Sequence, residues 1–461
     1  MTAAEMTPPG LSDAEHAAQL RRAVIASTVG TVIEAYDFLL YGLVAPLAFS
    51  KLYFPASDPL VGTLQAFAIY AVGFLSRPVG AAIFGHYGDR IGRKVTLIAT
   101  LLLTGLSTFA VGFVPTYAEI GIWGTIILTV LRLIQGIGVG GEWGGAVLLS
   151  MEWARTTAHR GFIASWPHWG GPFGLFLANL AVLAFSELSG DQFLAWGWRV
   201  PFWLSIVMVG IGLWIRLGIL ETPIFSRLVE QNRIERAPVI EVIKRQPKEI
   251  ILTALVRTGQ QGPFYIFTAF VFAYGTTVVH SSRDLLLTAL LVATAISSVT
   301  IPIFGHLSDR IGRRRITLIG AVAMAIWGFV YFALLNTAIP SVVFLAIALS
   351  LIAHDMMWGP QGALIAECFT PRLRYSGFSL GFHFASITAG GPAPLIATAL
   401  LAAYGSGYVI ALYILVSVIV TIVSTVFLPD LTNRDISQEA VYGAAAGPRA
   451  PPSGSSAAPI V

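Results

Sequence analysis

Along this chain, polar residues come as short islands between long apolar stretches. Runs of about twenty apolar residues or more recur from end to end, each long enough to cross a hydrocarbon core of roughly 30 Å as a helix. Twelve can be drawn, at 23–49, 60–86, 95–114, 120–148, 161–187, 199–219, 249–279, 284–305, 316–336, 340–366, 376–403 and 406–428. The expected fold class is an all-α membrane protein with twelve transmembrane helices.

The islands repeat. Gly85-His86-Tyr87-Gly88-Asp89-Arg90-Ile91-Gly92-Arg93-Lys94 returns in the second half of the chain as Gly305-His306-Leu307-Ser308-Asp309-Arg310-Ile311-Gly312-Arg313-Arg314. Gly171-Pro172 returns with the same displacement as Gly391-Pro392, and Glu152 with Arg160-Gly161-Phe162 is loosely matched by Glu367 with Ser376-Gly377-Phe378. The chain therefore reads as two pseudo-symmetric six-helix halves, 23–219 and 249–428. They are flanked by an N-terminal segment 1–22, a charged linker 220–248 and a tail 429–461 rich in Ala, Gly, Pro and Ser that is expected to be disordered. Parallel six-span halves are a transporter architecture, with the substrate held near the midplane between halves that rock alternately open. The runs Gly170 to Gly174 and Gly390 to Pro394 mark either bends or close packing.

Composition agrees. Of 461 residues, 56% are hydrophobic and 11% charged, where a soluble domain carries about a quarter charged. The net charge of +4 raises the question of an anionic partner such as nucleic acid, and the placement of the cations answers it. With alternate loops on opposite sides, Lys51, Arg199 and Arg283 fall on one side, and Arg77, Arg132, Arg216 and Arg257 within spans. Every other Lys and Arg, Arg155, Arg227, Arg233, Arg236 and Arg449 included, falls on the side of both termini. That is the positive-inside pattern of a multi-pass protein of a bacterial plasma (inner) membrane with both termini cytoplasmic, and it removes nucleic acid as a partner. Residues 1–20 are polar and lead straight into a span, so no cleavable signal peptide is expected. Cys368 is the single cysteine, which rules out an intramolecular disulfide. With no Walker loop, zinc spacing or nucleophile elbow, no enzyme, cofactor or metal is expected.

An ionisable side chain inside a span is costly unless it faces a cavity or a partner, so each is a functional candidate. Glu34, Asp37 and Tyr41 recur on one helical face of the first span, with Arg132 in the fourth as counter-charge and Gln135 three residues on. Gly136, Gly140 and Gly144 follow at intervals of four, a pattern for close helix packing. In the second half Arg257, Gln260, Gln261 and Tyr265 of the seventh span, with His354 and Asp355 of the tenth, are expected to form the opposite wall of a substrate site. His168, His354 and His383 are intramembrane histidines, and His354 beside Asp355 is placed to relay protons. The repeated loop residues Asp89, Arg90, Arg93, Asp309, Arg310 and Arg313, with Glu152 and Glu367, are expected to gate one end.

The repeated G-x-x-x-D-R-x-G-R-[KR] loop resembles the signature of the major facilitator superfamily. Gly30 to Gly42, Arg132 to Ala146, Gly197 to Phe202 with Glu221-Thr222-Pro223-Ile224-Phe225, and Arg374 to Gly377 extend the resemblance, over roughly residues 20 to 430. They point to the metabolite:proton symporter family, which includes carriers of shikimate, 2-oxoglutarate, citrate and proline or betaine. The resemblance implies the major facilitator fold and a functional monomer. It implies a proton-coupled symporter that imports a small organic acid, a shikimate-like hydroxylated carboxylate or a dicarboxylate, by alternating access. A proline/betaine-type zwitterion symporter and a proton/drug antiporter stay open. It also carries a proton-coupling role onto Asp37 and Arg132, with Glu34 beside them: protonating Asp37 frees Arg132 for an anionic substrate, and ionised Asp37 competes for it. A buried ion pair that merely fixes helix register is the alternative.

Overall fold

The computed structural model describes residues 12–153, 159–218, 220, 226, 237–432, 434–436 and 441–442. Arg155, the Glu221 to Phe225 stretch, Arg227, Arg233, Arg236, Arg449 and thus most of the linker and the end of the tail lie outside the described residues. Regular structure among the described residues is helical throughout.

Six crossings precede the linker: α1 Ala14–Tyr53, α2 Pro59–Ile91, α3 Arg93–Val111, α4 Ile122–Met151, α5 Arg160–Gln192 and α6 Gly197–Leu217. The seventh, α7, is assembled from consecutive helical pieces, Pro247–Val256, Thr258–Tyr265, Ile266–Phe270 and Val271–Thr277. Its interior run Gly259-Gln260-Gln261-Gly262-Pro263 dilutes its apolar character, and Pro263 supplies no N–H to the helix. Then come α8 Arg283–Ile311, α9 Arg313–Leu335, α10 Pro340–Ala366, α11 Arg374–Tyr404 and α12 Gly407–Phe427. Helix α1 reaches back into the polar N-terminal segment because Ser12 and Glu15 form a capping box: the Glu15 carboxylate accepts from the Ser12 N–H at 2.8 Å, and Ser12 Oγ accepts from the Glu15 N–H at 3.3 Å.

The repeat recurs in the backbone. Gly92 and Gly312 take φ of 109° and 106° between α2 and α3 and between α8 and α9, a left-handed turn that a side chain would strain. π-Helical turns at Ala45–Phe49 and Ile266–Phe270 sit at matching positions of the two halves. The two Gly-Pro runs differ. In α11 a π-turn, Ser386–Gly390, immediately precedes Gly391-Pro392. In α5 the helix continues through Pro167 and Pro172, and Gly170 and Gly174 lie so close to Thr31 and Val32 that a Cβ at either would collide with α1. Gly136 and Gly140 press α4 against α2, where a Cβ would strike the carbonyls of Gly73 and Arg77.

The burial pattern is inverted relative to a soluble protein. Trp214, Trp123 and Phe427 on the bundle's outside are 78%, 64% and 62% exposed, while Arg93, Arg132, Arg216, Arg257, Arg313 and Arg374 are fully buried. Apolar side chains face lipid and the charges face inward.

Candidate functional site

Where the two halves meet, a cavity is lined by Glu34 and Phe38 of α1, Arg77 of α2, Trp143 of α4, Arg257, Gln260, Gln261, Phe264 and Tyr265 of α7, His354 and Trp358 of α10 and Phe382 of α11. The guanidinium of Arg77 lies over the rings of Phe38 and Phe74, at 3.9 and 4.3 Å, and its Nε has no hydrogen-bond partner. Arg257 Nε donates to Gln361 Oε1 at 3.1 Å and Nη1 to the Phe382 carbonyl, with the guanidinium 3.3 Å over the Phe382 ring. Among the described residues neither arginine has an ion-paired carboxylate, whereas Arg216, Arg93 and Arg313 each have one. Buried cations without counter-ions are expensive and recruit anions.

Around them stand acceptors without donors. Glu34 Oε1 accepts from the Trp143 indole at 2.8 Å, and its Oε2 is unpaired. Gln260 meets His354 Nε2 through its Nε2 at 2.6 Å, and Gln261 Nε2 donates to Ser386 Oγ at 3.2 Å; the Oε1 atoms of both are unpaired. Behind His354, Asp355 holds Nδ1 at 2.8 Å and accepts from Ser297 and Thr300 at 2.8 and 2.5 Å. Gln260, His354 and Asp355 thus form a continuous polar chain leading away from the cavity.

Several expected members are elsewhere. Asp37 and Arg132 are not paired. Asp37, fully buried, accepts from Ser205 of α6 at 2.5 Å. Arg132 sits among the rings of Phe38, Tyr41 and Tyr70, at 4.1, 4.5 and 5.0 Å. Gln135 links them indirectly, accepting from Arg132 and donating to the Asp37 backbone carbonyl at 2.9 Å. The single stripe of Glu34, Asp37 and Tyr41 is therefore split. Positions three apart on a helix do not eclipse one another, and that angular offset is enough to turn Glu34 into the cavity and Asp37 toward α3 and α6. Tyr41, Arg132, Gln135 and Asp355 do not line the cavity, nor do His168 and His383. His168 packs its ring on Trp358 and Trp143, at 4.2 and 5.4 Å.

Sequence reasoning missed Arg77, although the intramembrane-charge rule that flagged Arg257 applies equally to it. It also missed Trp143, Trp358 and Phe382, apolar letters in apolar spans that carry no signal. Glu142, which accepts from Thr100 at 2.7 Å and from Arg216 behind Glu34, went unassigned too.

Aromatic layers close the cavity on both sides. Trp143 meets Trp358 and Phe382 at 5.2 and 5.5 Å on the side toward the signature loops. Tyr265 meets Phe74 and Tyr70 at 4.9 and 6.0 Å on the other.

The loop end is sealed by a duplicated contact. Asp89 of α2 accepts from the N–H and hydroxyl of Ser376, at 3.0 and 2.7 Å, in the first turn of α11. Asp309 of α8 accepts from the N–H groups of Gly161 and Phe162, at 2.8 and 2.9 Å, in the first turn of α5. Each signature aspartate thus takes up free N–H groups at a helix start in the opposite half, where the helix dipole favours an anion. Arg93 joins Asp89 and Glu152 at 3.6 and 3.4 Å, and Arg313 joins Asp309 and Glu367 at 3.0 Å each. Arg160 adds a contact to Glu367 at 3.2 Å. Arg90 and Arg310 are exposed and stand outside this network; Arg90 reaches His86 of its own helix at 3.2 Å.

A lipid-facing bundle of two repeated halves, closed around a charged cavity at their join, is a membrane transport protein. The family model described as "Sugar (and other) transporter" matches residues 23–249 and 239–441, covering both halves. The chain belongs to this transporter family of the major facilitator superfamily. It is 40% identical over 415 residues to the shikimate transporter of Escherichia coli, covering 89% of this chain and 94% of that protein. It is 36% identical over 421 residues to the inner membrane metabolite transport protein YhjE of the same organism, covering 90% and 95%. Among solved structures, the proton:xylose symporter XylE bound to 6-bromo-6-deoxy-D-glucose superposes with a TM-score of 0.73 at 19% identity, over 93% of this chain and 100% of that one. The protein is a transporter and not an enzyme.

Proposed function

We propose that this chain is a proton-coupled symporter that takes up a small hydroxylated carboxylic acid across a bacterial inner membrane. The observation that carries this reading is the pair Arg77 and Arg257, one from each half, buried in one cavity and, among the described residues, without an ion-paired carboxylate. A substrate carboxylate between them would draw α2 and α7 together and help occlude the site. The unpaired Oε1 atoms of Gln260 and Gln261 call for donors, which hydroxyl groups on the substrate supply. A betaine has no hydrogen-bond donor, and each buried acceptor left unpaired costs about 1–3 kcal/mol. A cationic drug would meet two like charges. The name of the shikimate transporter, a relative at 40% identity, fits a hydroxylated monocarboxylate.

For coupling, Glu34 is the proton carrier that the cavity favours, since it alone of the three expected coupling residues lines it. Ionised, Glu34 competes with substrate for the two arginines; protonated, it releases them and becomes a donor itself. Asp37 and Arg132 then support the first half from behind. The loop-bearing end is assigned to the cytoplasm by its arginines, which puts the termini inside and makes 23–219 and 249–428 the rocking halves. At the opposite, external end a groove carries Lys51 and Arg283, which would attract anions.

Uptake into proteoliposomes under an inward proton gradient tests the proposal, with shikimate, quinate, 2-oxoglutarate, citrate and glycine betaine as substrates. Accumulation of a hydroxylated monocarboxylate that a protonophore abolishes is expected. Accumulation of betaine alone, or extrusion of a dye, would overturn it.

A further inference from the structure

We propose that His159, His306 and Asp309 form a divalent transition-metal site that staples the two halves together at the loop-bearing end. One candidate ligand atom from each lies within 4.8 Å of the others. His159 immediately precedes α5 in the first half, while His306 and Asp309, three positions apart along one helix, close α8 in the second. The imidazole rings lie nearly parallel, 15° apart with centroids at 6.4 Å.

Two imidazole nitrogens and one carboxylate oxygen, completed by water, are a tetrahedral donor set for Zn²⁺. Bond lengths of about 2.0–2.2 Å require ligand atoms roughly 3.4 Å apart, so the widest separation in the cluster must tighten by up to about 1.4 Å. His159 is exposed and His306 half-buried, so both imidazoles have room to turn. Asp309 is the fixed member: Oδ1 accepts from Gly161 N and Arg313 Nη1 and Oδ2 from Phe162 N, which leaves Oδ2 a free lone pair. Arg313 beside it is offset by Glu367, at 3.0 Å.

The gate does not itself require these histidines. In the pseudo-symmetric gate His86 and Asp89 recur, but the residue that precedes α11 as His159 precedes α5 is Leu373, which offers no ligand atom. The closing contact is built twice and the metal ligands once. No metal spacing was visible along the chain because the ligands lie in opposite halves of it. Since they come from both halves, the site is complete only while this end is shut, and a bound ion stabilises that state by its affinity for it.

Titrate the purified carrier with Zn²⁺ by calorimetry and with Co²⁺ by visible absorption, then measure the distance between spin labels across the loop-bearing end. Saturable binding, a tetrahedral Co²⁺ spectrum and a distance distribution collapsed onto the closed state are expected. In the double variant His159→Ala with His306→Ala, uptake should persist and metal affinity should fall at least about tenfold. Binding unchanged in the double variant would overturn the site. Binding that leaves the open population intact would overturn the staple.

Discussion

At the scale of single residues, the proposed function rests on the cavity arginines that, among the described residues, have no ion-paired carboxylate. Arg77→Lys and Arg257→Lys keep the charge but lose the planar fork, and a charge-assisted hydrogen bond is worth about 1.5–3 kcal/mol. Each should raise the KM for uptake roughly ten- to a hundredfold with little change in protein level; an unchanged KM would remove that arginine from the substrate site. Glu34→Gln should abolish gradient-driven accumulation while sparing counterflow of labelled substrate. Asp37→Asn should be milder, because the Asn carbonyl can still accept from Ser205 and this side chain lies behind the cavity wall. If Asp37→Asn uncouples transport and Glu34→Gln does not, the proton sits on Asp37. Much of this was legible: the cost of an intramembrane charge singles out Glu34, Arg257 and His354. Which of Glu34 and Asp37 faces the cavity was not, because a fraction of a turn about the α1 axis decides it and the sequence pattern does not resolve that angle.

At the scale of the helix, glycines set how close two crossings come. Gly136 and Gly140 bring the α2 backbone into contact with α4, so Gly136→Val or Gly140→Val must push the helices apart. Overpacking of this kind costs about 1–3 kcal/mol or more. A lower unfolding temperature in detergent and reduced transport are expected for both. Gly144→Ala, whose added methyl meets chiefly the Ser379 hydroxyl of α11, should be tolerated better; equal damage from all three would mean that α4 packing is not what these positions protect. The interval of four made this packing readable in advance. The roles of the two Gly-Pro runs were not readable, since the shared Gly-Gly-Pro lies within an unbroken helix packed on α1 in one half and at a π-turn packed on Phe74 in the other.

For the whole molecule, the duplicated aspartate contacts are proposed to set the balance between closed and open ends. Asp89→Asn and Asp309→Asn remove charge from helix starts in the opposite half, weakening closure by about 1–2 kcal/mol each and shifting the populations toward an open loop-bearing end by roughly five- to thirtyfold. Spin-label distances across that end, read with the Zn²⁺ experiment, report the shift directly. A closed population unchanged in both variants would show that Arg93, Arg313 and their glutamates hold the gate by themselves. The duplicated motif pointed to paired acids and cations at one end, and the pairing of each aspartate with the other half's helix is the part it did not announce.

The sequence by itself determined the solvent this protein lives in, its crossings, its two-fold repeat and the residue types at its gates, because hydropathy, charge asymmetry and repetition are properties of the chain read in order. Only the tertiary structure decided which buried charges meet. Arg77 and Arg257 come from opposite halves of the chain and share a cavity, whereas Asp37 and Arg132, the pair expected from the sequence, are kept apart by Gln135 and a shell of aromatic rings. Those outcomes depend on the rotation of each helix about its axis and on the way the halves dock, and both are fixed by packing across the whole interface rather than by any local pattern.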